Sequence, residues 1–403
     1  MTLLFKDDLH DEFGTMPLGF APWGGPELGE VRALAAAVGS GDDAAFCDAW
    51  VAAGDRLAAE GEAALAAGHA ASARAALLRA ACFYGSAYRP LFGAPVDPRL
   101  LAAYARQIAA FDRALGLGAH PVRPTPIPLE GASMPAYLIP AEGRETEVRP
   151  LVILTNGYDA TVTDMYFGSA AAAVRRGYHA LVFDGPGQGG MLYEQGVPMR
   201  ADWETVVAAV VDFALAQPIV DPERIALSGW SLGGHLALRA ASGEPRLAAV
   251  AADPGLWSIT GPLRAMAARL GLPEAAIEGV LAGDGALAPL FGRTLVGLSR
   301  RMRWSIAQRA FWVHGVSDFP DYFRAIAAFT LDGRAGGIRC PALICAAEDD
   351  QLSRTADQVL AALIGPKTLL RFTAAEGAGD HCEMGARSLL NRRILDWLDA
   401  TLA

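Results

Sequence analysis

The chain has 403 residues with 34 basic against 44 acidic side chains, a net charge of -10; it is long enough for two or three domains and lacks the basic runs that nucleic acid requires. Five cysteines, Cys47, Cys82, Cys340, Cys345 and Cys382, form an odd set without Cys-x-x-Cys spacing, which argues against a disulfide framework or a structural zinc site and fits a reducing cytosol. Met1 to His10 is acidic with no apolar signal core, and no later run approaches the roughly 18 apolar residues of a membrane span, so a soluble cytoplasmic protein with no nucleic-acid or membrane partner is expected.

Residues 1 to about 30 are rich in Gly, Pro and Phe and predict an irregular arm that packs its aromatic residues onto another surface. The arm is also a candidate for embracing a second subunit in a homodimer. From Glu27 to about Leu115, Ala, Leu, Arg and Glu recur at helical spacing, with Asp42, Ser72 and Asp97-Pro98 as helix starts; about four helices are expected. Pro121, Pro124, Pro126 and Pro128 then forbid a helix and favour extended edge structure. Residues 1–119 are therefore assigned to an arm and helical domain, and 120–403 to a second domain.

Within that second domain, Thr125–Leu129 and Met134–Ile139 predict a strand pair, and the apolar Leu151–Thr155 a strand buried on both faces, as in parallel sheets. Helices over about 163–176 and 202–216 alternate with strands at His179–Phe183 and Arg224–Ser228. Further strands are expected at Leu247–Ala252, Ala342–Ala346 and Thr368–Thr373, with a closing helix at Ser388–Leu402. This alternation specifies an α/β fold with a doubly wound, mostly parallel sheet. The span of about 254–337 is too long for a crossover and carries Trp304, Phe311, Trp312, His314, Phe319, Tyr322 and Phe323, so it predicts a helical cap in which aromatics line a pocket or fill a core.

Gly229-Trp230-Ser231-Leu232-Gly233 matches the G-x-S-x-G nucleophile elbow and sits between a predicted strand and a predicted helix, the context the motif needs to expose a serine hydroxyl above a sheet. A nucleophilic serine needs a base and the base needs an orienting acid, in chain order serine, acid, histidine. Asp350, after the strand ending at Ala346 and with apolar Leu352 nearby, is the preferred acid, with Asp349 as runner-up. His381 lies in the glycine-rich Glu376–Cys382 segment between the last strand and the last helix, where an imidazole can swing over the serine. The other histidines look structural by position, except His314 in the cap. Oxyanion donors are expected from the amide of Leu232 and from the amide of Tyr158, after Gly157. Trp230, Asp159, Asp253, His314 and Trp304 are the candidate substrate contacts. The Phe183–Gly190 loop is dense in glycine but lacks the Gly-Lys-Ser/Thr of a phosphate loop.

Together the Phe183–Gly189 loop, the Gly229–Gly234 elbow, Gly379-Asp380-His381-Cys382 and the amino-terminal helical domain resemble the α/β-hydrolase superfamily. Within it, they are similar to a branch of pseudooxynicotine-type carbon-carbon hydrolases and polyketide-shortening hydrolases of pigment pathways. The resemblance is strong from about His120 onward and only general before it. It implies a triad of Ser231, Asp350 and His381, closure of the helical domain and cap over a small-molecule substrate, and no metal or organic cofactor. Two departures leave bond and substrate open: Asn156-Gly157-Tyr158 replaces a Gly-Gly pair, and the extra acid of some carbon-carbon hydrolases has only Asp253 as its nearest counterpart. Ester or ketone-adjacent carbon-carbon cleavage is the leading expectation. Acyl transfer or cyclisation, short-peptide cleavage and a non-catalytic receptor are the alternatives.

Overall fold

The computed structural model describes residues 2–403. The amino-terminal arm is more regular than its composition predicts. Asp7 accepts from the amides of Leu9 and His10 and starts a helix over Asp8–Thr15. A 3-10 run over Met16–Trp23 follows, with Pro17 in the first turn, where a missing N–H costs nothing. The arm's aromatic residues are seated on its own chain: Phe13 meets Trp304 at 4.7 Å between ring centroids, and Phe20 meets Phe167 and Trp230 at 5.9 and 6.2 Å.

Four helices follow, Leu28–Val38, Asp43–Ala66, Ala70–Ala87 and Pro98–Gly116. Asp42 caps the second through the Ala45 amide and Asp97 the fourth through the Arg99 amide. The third begins two residues before the expected Ser72. These helices share one continuous apolar core with the sheet that follows, through residues such as Phe111, Tyr137 and Tyr166.

Strands β1 (Ile127–Leu129) and β2 (Ala132–Met134) make a small hairpin. The expected pairing of 125–129 with 134–139 thus holds only at Met134, opposite Ile127, and in one bond from the Thr125 amide to the Ala136 carbonyl at 2.7 Å, because the turn at Glu130-Gly131, both with positive φ, is tight enough to close the hairpin earlier. Strand β3 (Ala136–Ile139) instead joins the main sheet as an antiparallel edge beside β5. The remaining strands are parallel: β4 (Arg149–Thr155), β5 (His179–Phe183), β6 (Val220–Trp230), β7 (Ala249–Asp253), β8 (Ala342–Ala347) and β9 (Lys367–Phe372). Their order is β3-β5-β4-β6-β7-β8-β9. After β4 the chain winds to one side through β5 and then crosses to the other through β6, so the switch point, where α/β sheets place their sites, lies between β4 and β6. Register pairs Thr155 with Gly229 there.

Between β7 and β8 runs a helical insertion with its own apolar core of Ile277, Val280, Leu281, Phe291, Leu295, Phe323 and Ile326. Its aromatic residues divide between two roles. Tyr322 and Phe323 fill this local core, while Trp304 and Trp312 belong to the main one. The segment that carries Trp304 is a π-helix over Trp304–Ala310, a widened turn found mostly at functional positions. No helix among the described residues is long and apolar enough to cross a membrane.

Candidate active site

Strand β6 ends in Trp230, and Ser231 follows with φ 58° and ψ -132°, a conformation that costs an ordinary side chain on the order of 1–3 kcal/mol. Leu232 opens the next helix, Leu232–Ala241. A Cβ on Gly229 would collide with the Gly233 carbonyl, and one on Gly233 would lie 2.6 Å from the Thr155 oxygen. Gly229 is therefore demanded by the tightness of the turn itself and Gly233 by the closeness of the turn to β4.

His381 closes on this serine from the segment after β9. Its Nε2 lies 3.0 Å from Ser231 Oγ and its Nδ1 lies 2.8 Å from Asp350 Oδ2. With Nδ1–H donated to the carboxylate, Nε2 faces the hydroxyl with its lone pair. Asp350 is dry, its side chain 5% exposed, whereas that of His381 is 45% exposed, so the site opens at the nucleophile. Burial would raise the Asp350 carboxyl, but hydrogen bonds from His381, the Leu352 amide and the Ser353 hydroxyl hold it below the usual carboxylate range. Asp349 is exposed and contributes its amide to the Gly379 carbonyl at 2.8 Å.

The partial loss of water around the ring opposes a charged His381, yet the balance lifts it well above the ordinary imidazole value. The Cys382 sulfur, 3.4 Å from Nε2, and the Asp350 carboxylate both favour protonation. Burial pushes the Cys382 thiol up to about 12, which keeps it neutral, so Asp350 is the partner that stabilises the imidazolium.

Across the switch point, a Cβ on Gly157 would stand 2.8 Å from the Leu232 nitrogen and 3.2 Å from Ser231 Oγ. The absence of a side chain at Gly157 is what leaves a space in front of the Leu232 amide. Tyr158 comes next in this loop. The glycine-rich Phe183–Gly190 segment, set aside on sequence for lacking a phosphate-loop ending, supports it from below. Gln188 Nε2 donates to the Asn156 and Gly157 carbonyls at 2.7 and 3.1 Å, while its Oε1 accepts from Gly185. Asp184 accepts from Asn156 Nδ2 at 3.1 Å, and burial pushes its carboxyl up to about 8.

The outer side of the same loop is clamped by the cap and the helical region. Arg309, in the π-helix, pairs with Asp159 at 2.6 Å and lies 4.6 Å above the Tyr158 ring and 5.0 Å from the Trp304 ring. Arg89 donates to the Asp159 carbonyl at 3.1 Å and to Asp164 at 2.7 Å. Tyr158 Oη bonds His314 Nε2 at 2.6 Å; burial and Arg309 push His314 down to about 4, so it is neutral. Trp304 is buried and donates to the Arg89 carbonyl at 3.1 Å. Trp230 is buried too, with the Arg387 guanidinium 4.4 Å from its ring. Asp253 is buried at the end of β7, where register sets it opposite Trp230.

Of the other histidines, His10 bonds Asp43 at 2.8 Å, His179 bridges the Ala141 amide and the Glu147 carbonyl, and His235 meets the Leu256 carbonyl. All five cysteines are free, and among the described residues no group of three or more His, Cys, Asp or Glu could hold a metal ion. Gln188, Asp184, Arg309, Arg89 and Arg387 were not singled out by sequence. The one available signal was Asp184 and Gln188, two polar side chains inside a glycine run that directly follows a buried strand.

A parallel sheet carrying a strained serine at its switch point, with an imidazole and a carboxylate in line, defines an α/β-hydrolase class of protein. The chain belongs to the alpha/beta hydrolase family, whose profile matches residues 151–388. It is 34% identical to Hydrolase LUC6 of Fusarium sp, over 95% of this chain and 94% of that one. It is 33% identical to 20-hydroxy-prefusarin hydrolase FUS2 of Gibberella moniliformis, over 96% and 94%. Among solved structures it is similar to 2,6-dihydroxy-pseudo-oxynicotine hydrolase, with a TM-score of 0.74 at 22% identity, covering 96% and 95% of the two chains. The fold and the names of these relatives support hydrolase activity.

Proposed function

We propose that this protein is a serine hydrolase that forms an acyl-enzyme on Ser231 and needs no metal or organic cofactor. The observation that carries the proposal is the unbroken chain from Asp350 through His381 to Ser231, with links of 2.8 and 3.0 Å. In this mechanism Ser231 Oγ attacks a substrate carbonyl as His381 Nε2 takes its proton, and Asp350 steadies the imidazolium. The carbonyl oxygen becomes an oxyanion in the space kept open by Gly157, held by the amides of Leu232 and Tyr158. Collapse breaks the bond to the leaving group, which takes the proton from His381. Water then enters by the same route in reverse and releases the acid.

The substrate we propose is a mid-sized, mostly apolar carbonyl compound, cleaved at an ester or at a carbon-carbon bond next to a ketone. In the second case a second carbonyl on the leaving carbon, as in a β-diketone, takes up the electron pair of the broken bond, so that carbon departs as an enolate, which the protonated His381 can quench. The likeness to 20-hydroxy-prefusarin hydrolase favours an aromatic or polyketide-like compound. Two measurements test the proposal. A fluorophosphonate probe should label the protein and leave Ser231→Ala unlabelled, and a screen of esters, β-diketones and short peptides should give turnover that Ser231→Ala abolishes. Normal turnover by Ser231→Ala would reject the nucleophile.

A further inference from the structure

Behind the imidazole lies a pair of acids that the proposed chemistry does not use. Asp253 ends β7 opposite Trp230, the residue before Ser231. Glu383 comes two residues after His381. The two residues are 3% and 0% exposed. Glu383 Oε1 and Oε2 and Asp253 Oδ2 find no donor among the surrounding groups, yet the two carboxyl groups lie within hydrogen-bonding reach of each other. Two ionised carboxylates can only accept. The bond between them therefore requires a proton on one.

The charge balance points the same way. Among the described residues the one cation against the pair is Arg387, with Nη1 3.6 Å from Asp253 Oδ2. Four of its five N–H donors are engaged elsewhere, Nη1 on the Cys382 carbonyl at 2.8 Å, Nη2 on the Gly168 carbonyl at 2.9 Å and Ser169 Oγ at 3.0 Å, and Nε on the Gly168 carbonyl at 3.3 Å. The other titratable groups that bear on the pair are His381, Asp350, Cys345 and Cys382. Burial pushes both thiols up, so they stay neutral, while His381 and Asp350 are already paired with each other. One cation balances one carboxylate, and a second bare carboxylate here would be an unpaired buried charge. Burial, reinforced by the neighbouring Asp253, accordingly pushes Glu383 far above the usual carboxylate range.

The backbone between His381 and this pair is unusual. Cys382 and Glu383 take φ values of 56° and 46°, two consecutive non-glycine residues in the left-handed region. Such a turn persists only where its surroundings over-determine it. Here the holds are the Arg387 bond to the Cys382 carbonyl and the buried end of Glu383.

We propose that Asp253 and Glu383 share a single proton, and that this pair is a positioning device which pins the His381 turn to the end of β7 beside the nucleophile. The inference rests on the assignment of Ser231 and His381 as nucleophile and base. Glu383→Gln keeps a neutral donor toward Asp253, whereas Glu383→Ala removes it and frees the turn.

Two readouts test the pair separately. At about pH 10, well above ordinary carboxylate values and above the value of about 8 to which burial pushes Asp184, the infrared spectrum in heavy water should contain the carbonyl stretch of a protonated carboxylic acid that is missing from Glu383→Gln. The rate of fluorophosphonate labelling at Ser231 should stay within about threefold of wild type in Glu383→Gln and fall by about 10²-fold in Glu383→Ala, the scale of a small misplacement of a catalytic group. No protonated-acid band, or equal loss of labelling in both variants, would overturn the shared proton. Unchanged labelling in Glu383→Ala would overturn the positioning role. If Glu383→Ala does not fold, the infrared band and the rescue by Gln decide alone. A wild-type protein that shows the band but does not label would reject the serine mechanism and leave the proton pair standing.

Discussion

Replacing Gly157 with alanine puts a methyl carbon 2.8 Å from the Leu232 nitrogen and 3.2 Å from Ser231 Oγ, in the space where the oxyanion is proposed to form. Gly157 does not use a left-handed φ, so alanine's φ is allowed, but a Cβ 2.8 Å from the Leu232 nitrogen and 3.0 Å from Ser231 Cβ must push the loop and the elbow apart at that space. An oxyanion-hole donor contributes about 3 kcal/mol to the transition state. At about 1.4 kcal/mol per tenfold, blocking the Leu232 amide lowers kcat by about 10²-fold, and by about 10⁴-fold if the Tyr158 amide is displaced as well. Stability moves by the difference of two opposed effects. The loss of chain freedom in the unfolded state favours alanine by about 0.4–1 kcal/mol, and the crowding against Ser231 opposes it. The assay compares Gly157→Ala with wild type for turnover of a nitrophenyl ester, for fluorophosphonate labelling and for melting temperature. A variant that melts within about 4 °C of wild type and turns over at the wild-type rate would refute this location for the hole.

Asp350→Asn should lower kcat by about 10⁴-fold, the scale seen when a triad acid becomes an amide. The pH profile gives it a sign. His381 must be neutral to accept the serine proton, and in wild type Asp350 helps hold it above the ordinary value of 6.5, so activity should rise with pH along a limb that lies above that value. In Asp350→Asn the residual activity should show this limb displaced to lower pH; an unmoved limb would mean that Asp350 does not stabilise the imidazolium. Gln188→Leu removes the donor to the Asn156 and Gly157 carbonyls. Loss of a bond that positions a catalytic loop should cost roughly 10-fold in kcat, about 1.4 kcal/mol; no change in ester turnover would separate the loop from the site.

Ser231 and His381 were legible in the sequence because each carries a local signature: a glycine-flanked serine after an apolar strand, and a histidine in a glycine-rich segment between the last strand and the last helix. Asp350 was legible for a related reason, its place just beyond β8, and the structure brings it rather than Asp349 into contact with His381. Partnerships between distant segments left no such trace. Arg387 meets Gly168, Arg309 meets Asp159, and Glu383 meets Asp253 only after the strands have been ordered. The arm was misjudged because composition outweighed one residue. Asp7 satisfies two amide donors at the first turn, enough to start a helix that the Gly, Pro and Phe content disguised. The hairpin was placed too wide because the positive φ of Glu130 and Gly131, which closes the turn early, left no signal in the sequence.

The family profile begins at residue 151, but the site does not. Arg89 is 1% exposed and reaches from the helical region to the Asp159 carbonyl and the Asp164 carboxylate, so its loss would strand a buried carboxylate as well as loosen the loop next to Gly157. Trp304 of the cap donates to the Arg89 carbonyl and packs against Phe13 of the arm. The Met16–Trp23 run lies against the His381 turn closely enough that a Cβ on Gly19 would overlap the Met384 carbonyl. Arm, helical region and cap thus each hold a different edge of one candidate site. A substrate that enters between them touches segments on both sides of the family's common core. Selectivity for one carbonyl compound over another is therefore to be sought in the residues that join these segments, among them Tyr158, Arg309 and His314, which are bound to one another on the loop next to Gly157.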